Sequence, residues 1–302
     1  MIFPFIFIAA LAVFGVLPVV SLVLARAWWR KGERRRALAA SAMCALLGLI
    51  GLDAFVLEPH DLEVTHHVIP APGLEQALTI AVLADIQTDS PGPHERRAFD
   101  QVREQAPDLV LFPGDFVQVG GPAYTRQAER LRQLLREADI RPRLGAYAVD
   151  GNVEVTHDDW PRIFEGTGIE AWTARQRLDL GPVVLTGLPL RESFDESLEL
   201  PREDAFHIVF GHAPDFSLSS GVHADLMLAG HTHGGQVRLP FIGALITFSQ
   251  VPRDQAAGWT RLPKGRNLVV SRGIGMERGS APRMRFNCRP ELVFVKLVPT
   301  GD

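Results

Sequence analysis

The first 25 residues of this 302-residue chain, MIFPFIFIAALAVFGVLPVVSLVLA, carry no charged side chain. A helix needs about 20 apolar residues to cross a bilayer. This stretch therefore constrains the chain more than any other: it predicts a membrane span. Pro18 predicts a kink there rather than a break, because a bilayer-embedded helix can re-satisfy the carbonyl that proline frees. A basic connector follows over residues 26–36, RAWWRKGERRR, with six basic side chains against Glu33. Its tryptophan pair suits the headgroup zone. A second apolar run extends from Ala37 to Leu57, interrupted only by Asp53. Together these predict a membrane-anchoring helical hairpin over residues 1–57, in a bacterial-type inner or plasma membrane. A single span with a buried or interfacial partner, or processing of the segment, are the alternatives. A cleaved signal peptide needs a basic start, which the N-terminus lacks. The positive-inside rule places the connector in the cytoplasm and everything after residue 58 outside.

Residues 1–60 hold six of the 31 basic and three of the 35 acidic side chains, leaving 25 and 32 for the remainder. An acidic soluble part argues against non-specific nucleic-acid binding, which is chiefly phosphate neutralisation. Cys44 lies in the second apolar run and Cys288 near the C-terminus, so neither a disulfide nor a thiolate metal site is expected. Their usage leaves the redox compartment open. Residues 58–77 read as a linker that becomes an edge strand, and residues 78–300 as the soluble domain. Short β-rich runs recur through it: LTIAVLA, DLVLFPGD, LGAYAVDGNVE, VVLTGLPL, AFHIVFGHAPD, ADLMLAGHTHGG, NLVVSRGIG and ELVFVKLVP. Residues 94–105 and 123–139 have helical character, the latter with Leu131, Leu134 and Leu135 on one face. The order predicts an α/β or α+β sandwich with sheets packed together and helices outside.

What ends each strand carries the chemistry. Asp85 with Gln87, Asp115 after Gly114, Asn152 after Gly151, His212 after Gly211, and His231 with His233 all stand where an apolar run stops. Neighbouring strands would bring them to one edge. Carboxylate, amide and imidazole together suit borderline divalent metals such as Mn, Fe or Zn. Glycine before four of these positions permits sharp turns and close backbone approach. Taken singly, a GD, GN or GH dipeptide is a turn, and GHTH alone is either a clamp or a polar loop. The ordered series is the stronger observation.

That series resembles the calcineurin-like metallophosphoesterase superfamily, whose pattern runs D-x-H, G-D, G-N-H-[D/E], H and G-H-x-H across about residues 78–236. The wording AGHTHGGQ and the tail VVSRGIG…RFNCRPELVFVKL resemble a membrane-associated branch. That branch includes an enzyme of lipid A synthesis that splits UDP-2,3-diacylglucosamine at its pyrophosphate. The resemblance implies a four-layer α-β-β-α sandwich with two divalent metal ions at the strand ends. The cations would neutralise a phosphate, orient it and supply a nucleophile at neutral pH. Carried over by position, Asp85 and His233 would hold the first metal, Asp115 would bridge, and Asn152, His212 and His231 would hold the second. Asp115, Asn152 and His212 would be the catalytic set.

Two positions depart from the family pattern. Gln87 stands where a histidine ligand is expected and offers a weaker amide oxygen. Val153 stands where the pattern has the histidine credited with protonating the leaving oxygen, a role worth about 10²–10⁴-fold. His157 is a candidate substitute. Arg272 and Arg278, in the glycine-rich SRGIGMERG, are candidate phosphate contacts. The remaining histidines, His60, His66, His67, His94, His207 and His223, read as surface or satisfied residues. The expected function is a membrane-anchored, metal-dependent phosphoesterase acting on a phosphodiester or pyrophosphate, with a lipid-linked substrate in view. The alternative is a catalytically impaired metal-binding membrane protein that keeps the fold for interaction or regulation. Outward placement of the domain argues against a UDP-linked sugar, which is cytoplasmic.

Overall fold

In the computed structural model, which describes residues 3–300 apart from Ser280, the opening apolar runs form two antiparallel helical segments. The first two residues of the expected hairpin lie outside the described residues. Helix α1 (Phe3–Leu11) passes through a π turn (Ala12–Val16) into α2 (Leu17–Arg30). Pro18 explains the turn: it has no N–H and crowds the carbonyl four residues back, so the ladder loosens just ahead of it. Helix α3 (Arg34–Leu52) returns and ends in a second π turn (Asp53–Leu57). Ala25, Ala37 and Ala40 are buried where α2 and α3 pack together. Phe7, Leu11, Val23, Leu38 and Leu49 are instead exposed. By length and composition, Ile6–Arg30 and Arg34–His60 could each cross a membrane.

The hairpin is joined to the domain by polar contacts as well as by chain. The Arg285 amide donates to the Ala54 carbonyl at 2.9 Å, and the Asn287 amide donates to the buried Glu58 carboxylate at 2.8 Å.

Two six-stranded sheets form the domain. The first contains β1 (Glu63–Pro72), β2 (Leu78–Val82), β3 (Leu109–Pro113), β4 (Ala146–Val149), β5 (Ile169–Trp172) and β14 (Glu291–Thr300), in the order β1-β14-β2-β3-β4-β5. The second contains β6 (Gln176–Asp179), β7 (Val183–Gly187), β8 (Phe206–Phe210), β9 (Leu226–Ala229), β12 (Gly258–Arg261) and β13 (Asn267–Val270), in the order β12-β13-β9-β8-β7-β6. Strands β2 to β5 run parallel, as do β7, β8, β9 and β13. A small ribbon, β10 (Arg238–Leu239) with β11 (Gly243–Ala244), stands apart.

Strand alternation sorts the apolar residues into layers. Ile80, Val82, Leu109, Leu111, Ile208, Phe210, Leu226 and Leu228 meet between the sheets. Val110 and Phe112 face outward to α4 (Pro93–Gln105) and α5 (Pro122–Ala138), where Leu131, Leu134 and Leu135 complete the packing. The outer face of the second sheet, with Val209, Met227, Leu268 and Val270, differs from the helical layer expected there. Irregular chain covers it, including only the four-residue α6 (Leu190–Ser193) and a 3-10 turn at Asp215–Leu218. The covering sequence LPLRESFDESLELPRED spaces Leu190, Phe194 and Leu198 at helical intervals, but prolines at 189 and 201 confine any helix there to a short stretch.

Candidate metal centre

The parallel strands of both sheets end at one edge, and that edge collects the candidate ligands. Asp85 follows β2, Asp115 follows β3, Asn152 follows β4, His212 follows β8, and His231 and His233 follow β9. Backbone bonds tie the loops into one unit: the Asp85 amide donates to the Gly114 carbonyl (3.1 Å), Gln87 to Asp115 (2.8 Å), and Gly230 to His212 (2.9 Å). Gly114, Gly151 and Gly230 allow this approach. A Cβ on Gly151 would collide with the Asp115 carboxylate, and one on Gly230 with Asp85. Gly211, by contrast, packs against Ser193 and Leu188.

Five of the seven candidates hold a positive φ that L-residues rarely adopt: Asp85 (48°), Gln87 (33°), Asp115 (58°), His231 (68°) and His233 (48°). Such conformations cost about 1–3 kcal/mol each and gather at functional sites.

Asp85, Asp115 and His233 are buried, with one ligand atom from each lying within 4.8 Å of the others. Beside them stands a second trio, in which the His212 Nε2 lies 2.8 Å from the Asn152 Oδ1. The His231 Nδ1 lies 3.0 Å from that oxygen and 3.1 Å from the His212 Nε2. Their other ring atoms decide the tautomers. His212 Nδ1 faces the Pro113 carbonyl at 2.9 Å, and His231 Nε2 faces the Phe248 carbonyl at 3.0 Å. A carbonyl only accepts, so each of those nitrogens carries the proton of a neutral imidazole. Three lone pairs, from two imidazole nitrogens and an amide oxygen, then converge with no proton among them. Burial holds both rings neutral, with pKa values lowered to about 4; the His212 charge adds to the effect on His231. A divalent cation satisfies such a trio, each donor offering one lone pair.

On the acidic side, burial first, then the Asp115 charge, raises Asp85 well above the usual carboxylate range. Burial raises Asp115 to about 7, opposed by the Val153 amide, which donates to its Oδ1 at 2.9 Å. Burial and Asp115 raise Glu154 to about 8. His233 is lowered by burial and by the Arg285 guanidinium. The Arg285 guanidinium opposes the rise at Asp85, more weakly than burial promotes it.

Gln87 is fully buried and its Nε2 donates to the Glu277 carboxylate (3.0 Å) and to Gln118 (3.2 Å). Its Oε1 has no hydrogen-bond partner among the described residues, which leaves the amide oxygen available as a ligand. The donor set and this unsatisfied oxygen fit divalent ions.

Several supporting residues gave little sign of themselves in sequence. Glu154 accepts from the amides of Asp115, Phe116 and Gly151, all at 2.9 Å, and so clamps the loops after β3 and β4 together. Its position closes the G-N-x-[D/E] pattern, the only available hint. Arg285 is completely buried and donates to the carbonyls of Arg272, Gly273, Gly275 and Cys288. It opens the tail wording RFNCRPELVFVKL, but nothing in that wording marks it as buried beside the site.

Val153 and His157 line a polar cavity of about 500 Å³ together with Asn152, Asp89, Arg278 and Arg283. His157 stacks on Tyr124, with ring centroids 3.5 Å apart. Arg278 thus reaches a cavity at the metal-ligand loops, although it also binds Asp89 at 2.9 Å. Arg272 does not serve in this way: it pairs with Glu63 (2.7 Å) and Glu291 (3.1 Å). Of the remaining histidines, His207 is a satisfied core residue, bonded to Thr186 and to the His223 carbonyl.

Residues 78–235 match the sequence model of the family described as calcineurin-like phosphoesterase. The metallophosphoesterase YkuE of Bacillus subtilis is 28% identical over 270 residues, covering 81% of this chain and 88% of its own. The phosphodiesterase YaeI of Escherichia coli K12 is 36% identical over 92 residues, 30% of this chain and 32% of its own. A transmembrane protein with a metallophosphoesterase domain from Danio rerio is 24% identical over 232 residues, 68% of this chain and 52% of its own.

Proposed function

This chain belongs to the calcineurin-like phosphoesterase family, and on that premise we propose that it is a membrane-anchored hydrolase of phosphodiester or pyrophosphate bonds. Residues 1–57 anchor it, residues 58–77 link, and residues 78–300 form a catalytic domain facing away from the basic connector, outside the cytoplasm. Asp85, Gln87 and His233 would hold one divalent cation, Asn152, His212 and His231 the other, and Asp115, with two carboxylate oxygens to offer, would serve both. When bound, the cations neutralise the phosphate and lower the pKa of water.

The carrying observation is the convergence of the Asn152, His212 and His231 lone pairs beside the Asp85, Asp115 and His233 group. The chain's own residues do the rest. Glu154 fixes the Asp115 and Gly151 backbones, so the bridging carboxylate needs no reorganisation. Arg278 and Arg283 share one counter-ion, Asp89, and so leave positive charge in the cavity where a phosphate substituent can rest.

A second reading is favoured by one residue. Val153 leaves no imidazole at the expected proton-donor position, which fits a metal-binding protein with impaired catalysis. His157 lines the same cavity, and esters with good leaving groups need no proton donor, so hydrolysis is the better-supported reading. It also accommodates the resemblance to lipid A-pathway pyrophosphatases without requiring their nucleotide substrate.

The test is metal content and bis-p-nitrophenyl phosphate hydrolysis by the purified full chain with Mn or Zn. Two metal equivalents and turnover abolished in Asp115→Ala are expected. Metal-independent turnover, or turnover unchanged in Asp115→Ala, overturns the hydrolase reading; one equivalent without turnover favours the second.

A further inference from the structure

A larger cavity, about 730 Å³, opens on the other side of the candidate centre. Asp115, Asn152, His231 and His233 stand at one part of its wall. Ile6, Ala10, Val13 and Phe14 of the first helical segment and Ile50 of the second stand at another. From Ile6 to Phe14 is eight residues, so the helical wall runs about 12 Å along the axis. Leu245, Phe248, Ala281 and Phe286 complete a predominantly apolar lining. A hydrophilic substrate placed there would bury polar groups without partners.

The ribbon β10–β11 borders the same cavity and points apolar side chains outward. Phe241 and Ile242 at its tip are fully and largely exposed, and Leu245 and Phe248 are also exposed. A contiguous surface of this kind marks a membrane or partner contact. Here Leu239, Leu245 and Phe248 share the cavity wall with helices apolar enough to cross a bilayer. The segment that follows the ribbon meets the centre, because the Phe248 carbonyl lies 3.0 Å from His231 Nε2.

Asn152 lines both the apolar and the arginine-bearing cavity. Resting on the phosphoesterase reading above, we propose that the apolar cavity is an alkyl-chain subsite for a membrane lipid carrying a phosphodiester. The lipid enters sideways from the bilayer, between the hairpin and the ribbon. Its phosphate reaches the loops at Asp115 and Asn152, and its polar alcohol extends toward Arg278 and Arg283. The anchor is then part of the substrate site and not merely a tether.

The experiment uses the full chain in phosphatidylcholine vesicles containing phosphatidylglycerol with a diazirine in its acyl chain. Irradiation is expected to label residues 239–248 and 281–286 as well as the outward faces of the helices. Ala281→Trp, which fills the cavity, is expected to remove the labelling at the cavity-lining Ile246, Met284 and Phe286 while sparing the exposed Phe241 and Ile242. Labelling confined to the outward helix faces, or unaffected by Ala281→Trp, overturns the proposal. A variant-free arm measures kcat/KM on short-chain phosphatidylglycerols kept monomeric, expected to rise by about fourfold per methylene. Bis-p-nitrophenyl phosphate hydrolysis in the same sample reports the parent reading separately. Turnover of that ester with a flat chain-length profile overturns the lipid site alone. Internal labelling without turnover of any ester supports the lipid site and overturns the hydrolase.

Discussion

Val153→His is the substitution that bears most directly on mechanism. The backbone at 153 has φ −74° and ψ −23°, a conformation open to any L-residue. Its amide already donates to the Asp115 Oδ1 at 2.9 Å, so the position is fixed against the carboxylate proposed to bridge the ions. The half-buried side chain lines the 500 Å³ cavity with Arg278, which has room for an imidazole. The lost valine burial costs about 1 kcal/mol of stability, from the usual value for apolar burial scaled to half exposure. The gain is a proton donor beside the phosphate, worth roughly 10²-fold or more on esters whose leaving alcohol needs a proton. A hundredfold gain corresponds to about 2.7 kcal/mol of transition-state stabilisation. A p-nitrophenyl ester, which departs as an anion, gains little. The assay is kcat/KM with Mn on a series of phosphodiesters from p-nitrophenyl to alkyl. The wild type should fall steeply along the series and Val153→His should flatten it. The alkyl gain should fade above about pH 6.5, where an ordinary imidazole loses its proton. An equal factor on every ester, or no gain on the alkyl ester at unchanged metal content, refutes the reasoning.

Glu154→Gln removes one of the oxygens that receive the Asp115, Phe116 and Gly151 amides. The new NH₂ faces an N–H, so a stability loss of about 2–4 kcal/mol follows in urea melts. Metal affinity should fall by roughly 10–100-fold, as for other supporting groups; unchanged metal retention would rule out the clamp. The metal-free chain should also show a defined pH dependence. Asp115 and Glu154 are raised to about 7 and 8, so the folded state keeps protons that the unfolded state releases, and their stabilisation is lost as pH rises through those values. His212 and His231 are lowered from 6.5 to about 4, so their contribution is lost as pH falls through that interval. Between about 6.5 and 8 only the acids act, and metal-free stability should decline. Bound Mn displaces the same protons, so the Tm difference between Mn and chelator should widen over that window. A difference that narrows with pH would contradict the ligand assignment.

The parts legible in sequence were those written in contiguous residues. The hairpin announces itself by 25 residues without charge, and α5 by Leu131, Leu134 and Leu135 on one face. The site was legible because a parallel sheet places its strand ends at one edge, where ligands gather. Asp85, Asp115, Asn152, His212, His231 and His233 could therefore be read as neighbours before any distance was known. Other features depend on juxtaposition across long stretches of chain. Gln87 meets Glu277 from 190 positions away, Arg285 reaches the Gly275 loop through a buried guanidinium, and the apolar cavity joins Ile6 to Phe286. Nor does composition reveal that five candidate ligands adopt positive φ, since Asp, Gln and His carry no such requirement of their own.

The two departures from the family pattern touch the walls of the two cavities. Val153 lines the polar cavity directly, and Gln87 donates to Glu277, which lines the apolar one. A histidine at 87 could carry charge toward Glu277, whereas the amide satisfies that carboxylate while remaining neutral and keeps its own oxygen free. Both exchanges thus alter what a substrate meets, and both leave the aspartates and the Asn152 trio intact. The backbone argues the same way. At about 1–3 kcal/mol for each positive-φ residue, Asp85, Gln87, Asp115, His231 and His233 hold strain in the loops beyond the strand ends and not in the strands themselves. That strain is accounted for if these loops still carry ions, and Gln87 shares it with the ligands around it.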